Sequence, residues 1–368
     1  MGNCHLLIDE YDPSNGTGHT ALCESLFARE QLIGVGSFGK VWKSTFLCKG
    51  ETLTLKVMRK ASLLSQKCVE SVQRERQLLS ALKHPFLVNM HYAFQDRQCL
   101  YLALDYMPGG DLRYHLSRLG TLTEQQTKFV VACVLVGLDY LHAHNVVHRD
   151  LKPENVVLDA RGYLRITDFG AARVADQNAG REFCGTLGYI APEVLFGMAY
   201  ETTTDYFSLG AIMHECMTGH SLFPADSADK IKEKLLTREI QVNRSEVPKG
   251  WSSSAVDFLN KLLARTPQER LGYNGPKEVI SHPWLISFNW KALLDQTLSP
   301  AFLPPATETN FDQSQLRKLK QLDSMRVLSE LDICTEDQRF EGYFYDSRMK
   351  RRHEVEEELS TTCETELF

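Results

Sequence analysis

The run His148-Arg149-Asp150-Leu151-Lys152-Pro153-Glu154-Asn155 places a carboxylate, an ammonium and an amide oxygen in one short loop, and Asp168-Phe169-Gly170 returns a second carboxylate soon after. These are the parts of phosphoryl transfer. Asn155 and Asp168 offer the hard oxygens that Mg2+ takes while keeping several waters. Asp150 is then free to accept a hydroxyl proton and orient the attacking oxygen, and Lys152 to neutralise charge on the moving phosphoryl group.

Such a loop needs elements that hold a polyphosphate and carry the loop itself. Alternation from Phe27 predicts a strand running into Leu32-Ile33-Gly34-Val35-Gly36-Ser37-Phe38-Gly39-Lys40-Val41, whose three glycines let backbone N–H groups approach phosphates and whose Phe38 caps the tip. Dinucleotide-binding folds share GxGxxG. The continuation decides against them: Leu53-Thr54-Leu55-Lys56-Val57 is a β-rich run carrying a lysine, not a helix followed by an acidic residue. Lys56 suits the α and β phosphates and a helix carboxylate, for which Glu75, in the helical pattern 69–82, is the candidate. Residues 84–88 and 100–104 read as two more strands, Pro108-Gly109-Gly110 as a break before a helix starting near Asp111, and Glu124 to Ala143 as a buried helix that does no chemistry.

Composition narrows the class. The 368 residues allow two lobes and a large core, and 43% hydrophobic with 24% charged residues is ordinary for a globular protein. A formal charge of −6 leaves no basic footprint for nucleic acid. The longest apolar run, 129–138, suits a buried helix rather than a bilayer span, and no secretory leader is seen. Ten cysteines without a CxxC pair suggest neither a zinc knuckle nor a disulfide framework and fit a reducing cytosol or nucleoplasm, of which a cytoplasmic setting is expected.

Taken together, the glycine loop, Lys56, Glu75, the 148–155 loop and Asp168-Phe169-Gly170 resemble the eukaryotic protein kinases. The resemblance implies an α+β, two-lobed protein kinase fold with a mostly β small lobe at 27–107 and a mostly α large lobe at 108–284. It also implies ATP and Mg2+ as cofactors, Leu104 behind the purine, and Asp105 to Met107 as a hinge. Asp205 resembles the buried aspartate that braces the catalytic loop, and Arg270 is placed to pair with Glu193. Lys152 two residues after the base marks serine/threonine specificity. Phe183-Cys184-Gly185-Thr186, His282-Pro283-Trp284, Pro300-Ala301-Phe302-Leu303-Pro304 and Asn310-Phe311-Asp312 are similar to the AGC group, whose C-terminal tail, here 285–368, brings Phe311 to the adenine. Within that group, His84-Pro85-Phe86-Leu87-Val88-Asn89 and Gly109-Gly110-Asp111-Leu112-Arg113-Tyr114-His115-Leu116 resemble the YANK branch, the serine/threonine kinase 32 family. Two departures are Thr54 where the family has Ala, expected to lower nucleotide affinity, and Phe207 where it has Trp.

Regulation and substrates follow from further positions. Where most AGC kinases carry a phosphorylated threonine held by the catalytic-loop arginine, this chain has Glu182, with Arg149 as the arginine. Glu182 is either a built-in substitute for phosphate or an idle loop residue. Phe340-Glu341-Gly342-Tyr343-Phe344-Tyr345 is either the hydrophobic motif that docks beside the Glu75 helix, with Phe344 at the usual phosphoacceptor position, or an ordinary aromatic cluster. If both first readings hold, the enzyme is active as synthesised. Asp111, Glu154 and Glu233 match positions that hold substrate arginines in basophilic relatives, while Phe183, Leu187 and Ile190 line an apolar pocket; the expected substrate is a protein with Arg upstream of its Ser/Thr. Thr186 is expected to steady Asp150. The polar arm 1–26 either carries acyl groups on Gly2 and Cys4, giving peripheral membrane contact, or is a plain flexible arm; Leu6 stands where the acylation pattern wants Ser or Thr. A monomer is expected. The rivals are a scaffold that has lost catalysis and an AGC enzyme that waits for a second messenger.

Overall fold

The computed structural model describes residues 22–36, 39–175, 184–198, 201–223, 227–237, 240–300, 302–305, 310–312 and 338–347. Two compact units emerge: the described residues of Met1–Ala81, Asn89–Tyr106 and Gln313–Phe368 form one, and Leu82–Val88 with Met107–Asp312 form the other.

The first unit is built on antiparallel strands β1 (Phe27–Val35), β2 (Gly39–Phe46), β3 (Glu51–Arg59), β4 (Met90–Gln95) and β5 (Cys99–Asp105), with helices α1 (Lys60–Ser65) and α2 (Val69–Ala81) after β3. Spatial order is β1-β2-β3-β5-β4, and a short strand at Tyr345–Asp346 adds itself to the free edge of β4. Side chains on a strand alternate between faces. Leu53 and Leu55 of β3 therefore join the aromatic core of Phe27, Phe46, Tyr92, Phe94 and Tyr101, and Lys56 falls on the other face. Phe94 and Tyr101 stack in that core with centroids 4.7 Å apart. Helix α2 buries Val72, Glu75 and Leu79, one face at helical spacing, so a carboxylate occupies an otherwise apolar stripe.

The second unit is mostly helical: α3 (Leu112–Leu119), α4 (Glu124–Ala143), α5 (Pro192–Leu195), α6 (Thr203–Thr218), α7 (Ala228–Thr237), α8 (Ser253–Leu262), α9 (Pro276–Ile280) and α10 (Trp290–Leu294). Short strand pairs β6 (Val146–Val147) with β9 (Arg173–Val174), and β7 (Val156–Leu158) with β8 (Leu164–Ile166), flank the 148–155 loop. Helix α4 has the bounds expected from sequence. It starts on a capping box, with Gln126 N–H donating to Thr123 Oγ1 at 3.3 Å and Thr123 N–H to Gln126 Oε1 at 2.9 Å. Its apolar residues are buried almost all round, as a supporting helix requires.

One element departs from the sequence reading. Residues 84–88 are not a strand of the sheet and do not belong to the first unit; the fourth strand begins at Met90. The run is apolar like a strand, but its backbone partner is Ile166: Val88 N–H donates to Ile166 O at 2.9 Å and Ile166 N–H to Phe86 O at 3.0 Å. Strand-like composition served a bridge to β8 instead.

Candidate active site

In the first unit Lys56 Nζ lies 2.6 Å from Glu75 Oε1, with both side chains almost fully buried. A lysine from β3 and a carboxylate from α2 thus compensate each other on the inner face, which neither could occupy alone at acceptable cost. Leu32 and Leu104 are buried on β1 and β5, while Ile33, Lys40 and Val41 are half-buried and Val35 is 42% exposed. Asp105 does not offer a free carboxylate: it accepts from Asn89 N–H at 3.0 Å and bonds His91 Nε2 at 2.8 Å, pinning the entry to β4.

The glycines of the loop have separate reasons. A Cβ on Gly39 would stand 2.1 Å from Val57 O, so β2–β3 pairing alone excludes any other residue there. Gly34 and Gly36 have nothing closer than 3.6 Å and 3.9 Å. Their own fold would accept a side chain, so the bare backbone they leave suits the close approach of a phosphate chain. Ser37 and Phe38 lie outside the described residues.

In the second unit Asp205, fully buried on α6, organises the catalytic loop. Its Oδ2 accepts from His148 N–H and its Oδ1 from Arg149 N–H, both at 2.9 Å, and His142 Nε2 lies 2.9 Å from Oδ2. Burial opposes its charge, but the His142 and His148 interactions outweigh that and hold the carboxyl below its usual range. The loop pays for its shape in backbone conformation: Arg149 and Asp168 sit at φ 65° and 64°, a region non-glycine residues rarely enter.

Asp150 is held from three sides. Thr186 Oγ1 donates to its Oδ1 at 2.7 Å, Lys152 Nζ lies 2.7 Å from its Oδ2, and Asn155 Nδ2 donates to its backbone carbonyl at 2.8 Å. Lys152 also donates to Thr186 Oγ1 at 2.8 Å. Thr186 therefore steadies Asp150 as expected, while the Asp150 side chain keeps 15% exposure, enough for a hydroxyl to reach it. Asn155 commits its side-chain nitrogen to Asp150, and its side-chain oxygen and the Asp168 carboxylate are hard donors of the kind Mg2+ takes.

Residues 27–285 match the family described as protein kinase domain. The chain belongs to the protein kinase family. The kinase is 35% identical over 327 residues to a probable serine/threonine-protein kinase of Dictyostelium discoideum, covering 87% of this chain and 70% of that protein. It is 36% identical over 303 residues to RAC-beta serine/threonine-protein kinase A of Xenopus laevis, 81% of this chain and 61% of that one. Over 351 residues it is 34% identical to serine/threonine-protein kinase YPK1 of Saccharomyces cerevisiae, 94% of this chain and 50% of the relative's length. These relatives support serine/threonine kinases of the AGC type.

The remaining expected residues divide. Glu193 is buried against Arg270, whose Nη1 and Nη2 reach its two oxygens at 2.6 and 2.8 Å. Asp111 caps α3, accepting from Tyr114 N–H at 2.7 Å, and burial with the nearby Glu154 pushes its carboxyl up to about 6. Leu187 is exposed and Ile190 buried. Met107 is buried at the start of the second unit; Phe311 follows Asn310, which donates to Pro108 O at 3.0 Å and anchors the tail on the 108–110 turn. Glu182 and Phe183 lie outside the described residues, as do Gly2, Cys4 and the charge blocks after Asp346.

Glu233 stands exposed on α7 and is not among the partners of Arg113, the residue that bonds Glu154. Glu215 of α6, which the sequence reading passes over, is the carboxylate found there: Arg113 bonds Glu215 and, at 2.8 Å, Glu154. Its signal was a charge inside the apolar run Ile212 to Met217, since a buried carboxylate demands a partner.

The Phe340 to Tyr345 segment packs within the first unit. Phe340 and Tyr343 are buried against the α2 side, Gln95 Nε2 donates to Phe340 O at 2.8 Å, and Phe344 is 45% exposed. Arg76 on α2, one residue from Glu75, donates to Phe344 O at 3.2 Å. The segment docks beside the Glu75 helix through side-chain hydrogen bonds to its carbonyls and through aromatic burial.

Proposed function

We propose that this chain transfers the γ-phosphate of MgATP to serine or threonine hydroxyls of proteins. The observation that carries the reading is Asp150, bound by Thr186, Lys152 and Asn155 and still open to an incoming hydroxyl. In this reading Asp150 accepts the hydroxyl proton and orients the oxygen, and Lys152 follows the charge of the phosphoryl group. Asn155 and Asp168 would hold Mg2+, which supplies charge neutralisation on the phosphates. Lys56, fixed by Glu75, meets the α and β phosphates; Gly34 and Gly36 admit the phosphate chain; Leu104 and Met107 border the adenine.

The proposal extends to regulation. Glu182 takes the place of the activating phosphothreonine opposite Arg149, and the Phe340 to Tyr345 segment docks without phosphorylation, so the enzyme is active as made. Support for the second half is the buried Phe340 and Tyr343. Membership of the YANK branch, acylation of Gly2 and Cys4 with peripheral membrane contact, a cytoplasmic setting and a monomeric state belong to the same proposal and rest on the sequence motifs. Arginine selection, read from Asp111, Glu154 and Glu233, belongs to it only if those carboxylates are open.

The test is phosphate transfer by protein purified from bacteria, which lack an upstream kinase, on Ser/Thr peptides. Wild type is expected to be active, Asp150→Asn silent, and Glu182→Ala at least about tenfold slower, a loss of roughly 1.4 kcal/mol. An inactive wild type that still melts higher with MgATP would replace catalysis by a scaffold role.

A further inference from the structure

Arg113 stands two residues after the α3 cap, and its whole fork is engaged. Nε donates to Glu154 Oε1 at 2.8 Å, Nη1 bonds Glu215 Oε1, and Nη2 donates to Glu215 Oε2 at 3.2 Å and bonds the Tyr189 hydroxyl. Tyr189 in turn donates to Glu215 Oε2 at 2.5 Å. This is how two carboxylates hold a planar guanidinium.

The cluster lies beside the acceptor end of the catalytic loop. Glu154 belongs to the same 3-10 turn as Asn155, Pro153–Asn155, and Tyr189 N–H donates to the carbonyl of Thr186, the residue that holds Asp150. A peptide presenting its hydroxyl to Asp150 would run its neighbouring side chains past these groups. Arg113 is not sealed in: its side chain keeps 32% exposure and Glu154 43%, whereas Glu215 keeps 6%. The remaining acid, Asp111, is committed to the α3 N-terminus, where its Oδ1 accepts from Tyr114 N–H at 2.7 Å.

We propose that Arg113 is a specificity-determining residue that occupies, from within the chain, the carboxylates Glu154 and Glu215 that would otherwise bind an arginine of the substrate upstream of the acceptor. The kinase therefore does not require arginine there. This rests on the serine/threonine kinase reading and narrows its arginine preference.

The experiment is a positional peptide scan of the full chain, wild type against Arg113→Ala, joined to thermal melting of each with millimolar agmatine as a free guanidinium. Wild type is expected to select arginine upstream by less than about threefold, and Arg113→Ala to gain at least about tenfold, the scale of one good guanidinium–carboxylate contact, with the gain lost again in Arg113→Ala/Glu215→Gln. Agmatine should raise the melting temperature of Arg113→Ala and leave wild type unmoved. Strong arginine selection by wild type overturns the inference, as does a variant that gains neither selection nor agmatine stabilisation. If no peptide is phosphorylated by either protein but agmatine stabilises Arg113→Ala alone, the internal occupancy stands and the kinase reading falls. Should Arg113→Ala not fold, Arg113→Lys, which keeps a charge and loses the fork, is scanned in its place, with an intermediate gain supporting the inference and none overturning it.

Discussion

Two lysine–carboxylate pairs stand among the candidate catalytic residues, and they are built differently. Lys56–Glu75 at 2.6 Å is almost wholly buried, with 9% and 2% side-chain exposure; Lys152–Asp150 at 2.7 Å keeps 21% and 15%. The first is shut inside the first unit, beside the docked tail segment, as a positioning device. The second is cross-braced by Thr186 and Asn155 so that its carboxylate is held without being shut away. A buried pair fixes where a charge sits, and an open one lets a charge act.

Each prediction breaks one side of that contrast. Asp150→Asn keeps size and shape but not basicity, and is expected to lower phosphate transfer by about 10³-fold, within the range for loss of a general base, while melting stays within a few degrees of wild type. Lys56→Met should cost both activity and about 3 kcal/mol of stability, because it leaves Glu75 buried without its cation; chemical denaturation measures this, and Lys56→Met/Glu75→Met should recover the stability but not the transfer. Were the single variant as stable as wild type, the pair would not be the sealed device described.

Smaller effects concern the surroundings. Tyr343 is fully buried, and its hydroxyl has no hydrogen-bond partner among the described residues. Burial first, then the Glu75 charge, drives that hydroxyl well above its usual pKa. Tyr343→Phe should therefore be neutral or stabilising, while Tyr343→Ala should cost about 3 kcal/mol and lower transfer by loosening α2, a difference readable in one melting series with activity alongside. Asp111 titrates at about 6 in the folded chain, above its ordinary carboxylate value. A raised acid makes its full contribution below the unfolded pKa and loses it as pH climbs through the folded one, so stability should decline from about pH 4 to 6. Asp111→Asn retains the helix cap and should flatten that decline, leaving pH 4 melting unchanged and raising it at pH 7.

Local patterns were readable wherever one residue's role depends on its own periodicity or motif. The alternation in 53–57 puts Lys56 opposite Leu55, the spacing in 69–82 puts Glu75 on the α2 face, and Glu124–Ala143 is a helix with the expected bounds. Asp205 and the Arg270–Glu193 pair came from motif resemblance and meet the expected partners. Residues 84–88 did not, because an apolar run carries no record of which strand it will pair with, and here Ile166 is its partner. Glu233 was read as the companion of Asp111 and Glu154, and Glu215 was passed over, for a similar reason: a carboxylate on an exposed helix face and one buried in an apolar helix look alike until something fills the space beside them.

The chain by itself determined the reaction chemistry, since glycines, a strand lysine, a helix carboxylate and the 148–155 loop each need only their residue type and local spacing to be recognised. Tertiary structure decided which charges are occupied. Arg113 and Glu215 lie 102 positions apart, as Tyr343 and Glu75 lie far apart, and no periodicity links such residues. Only folding brings a guanidinium from α3 and a hydroxyl from Tyr189 onto a carboxylate of α6, because the cost of burying that carboxylate has to be offset by donors delivered from elsewhere in the chain.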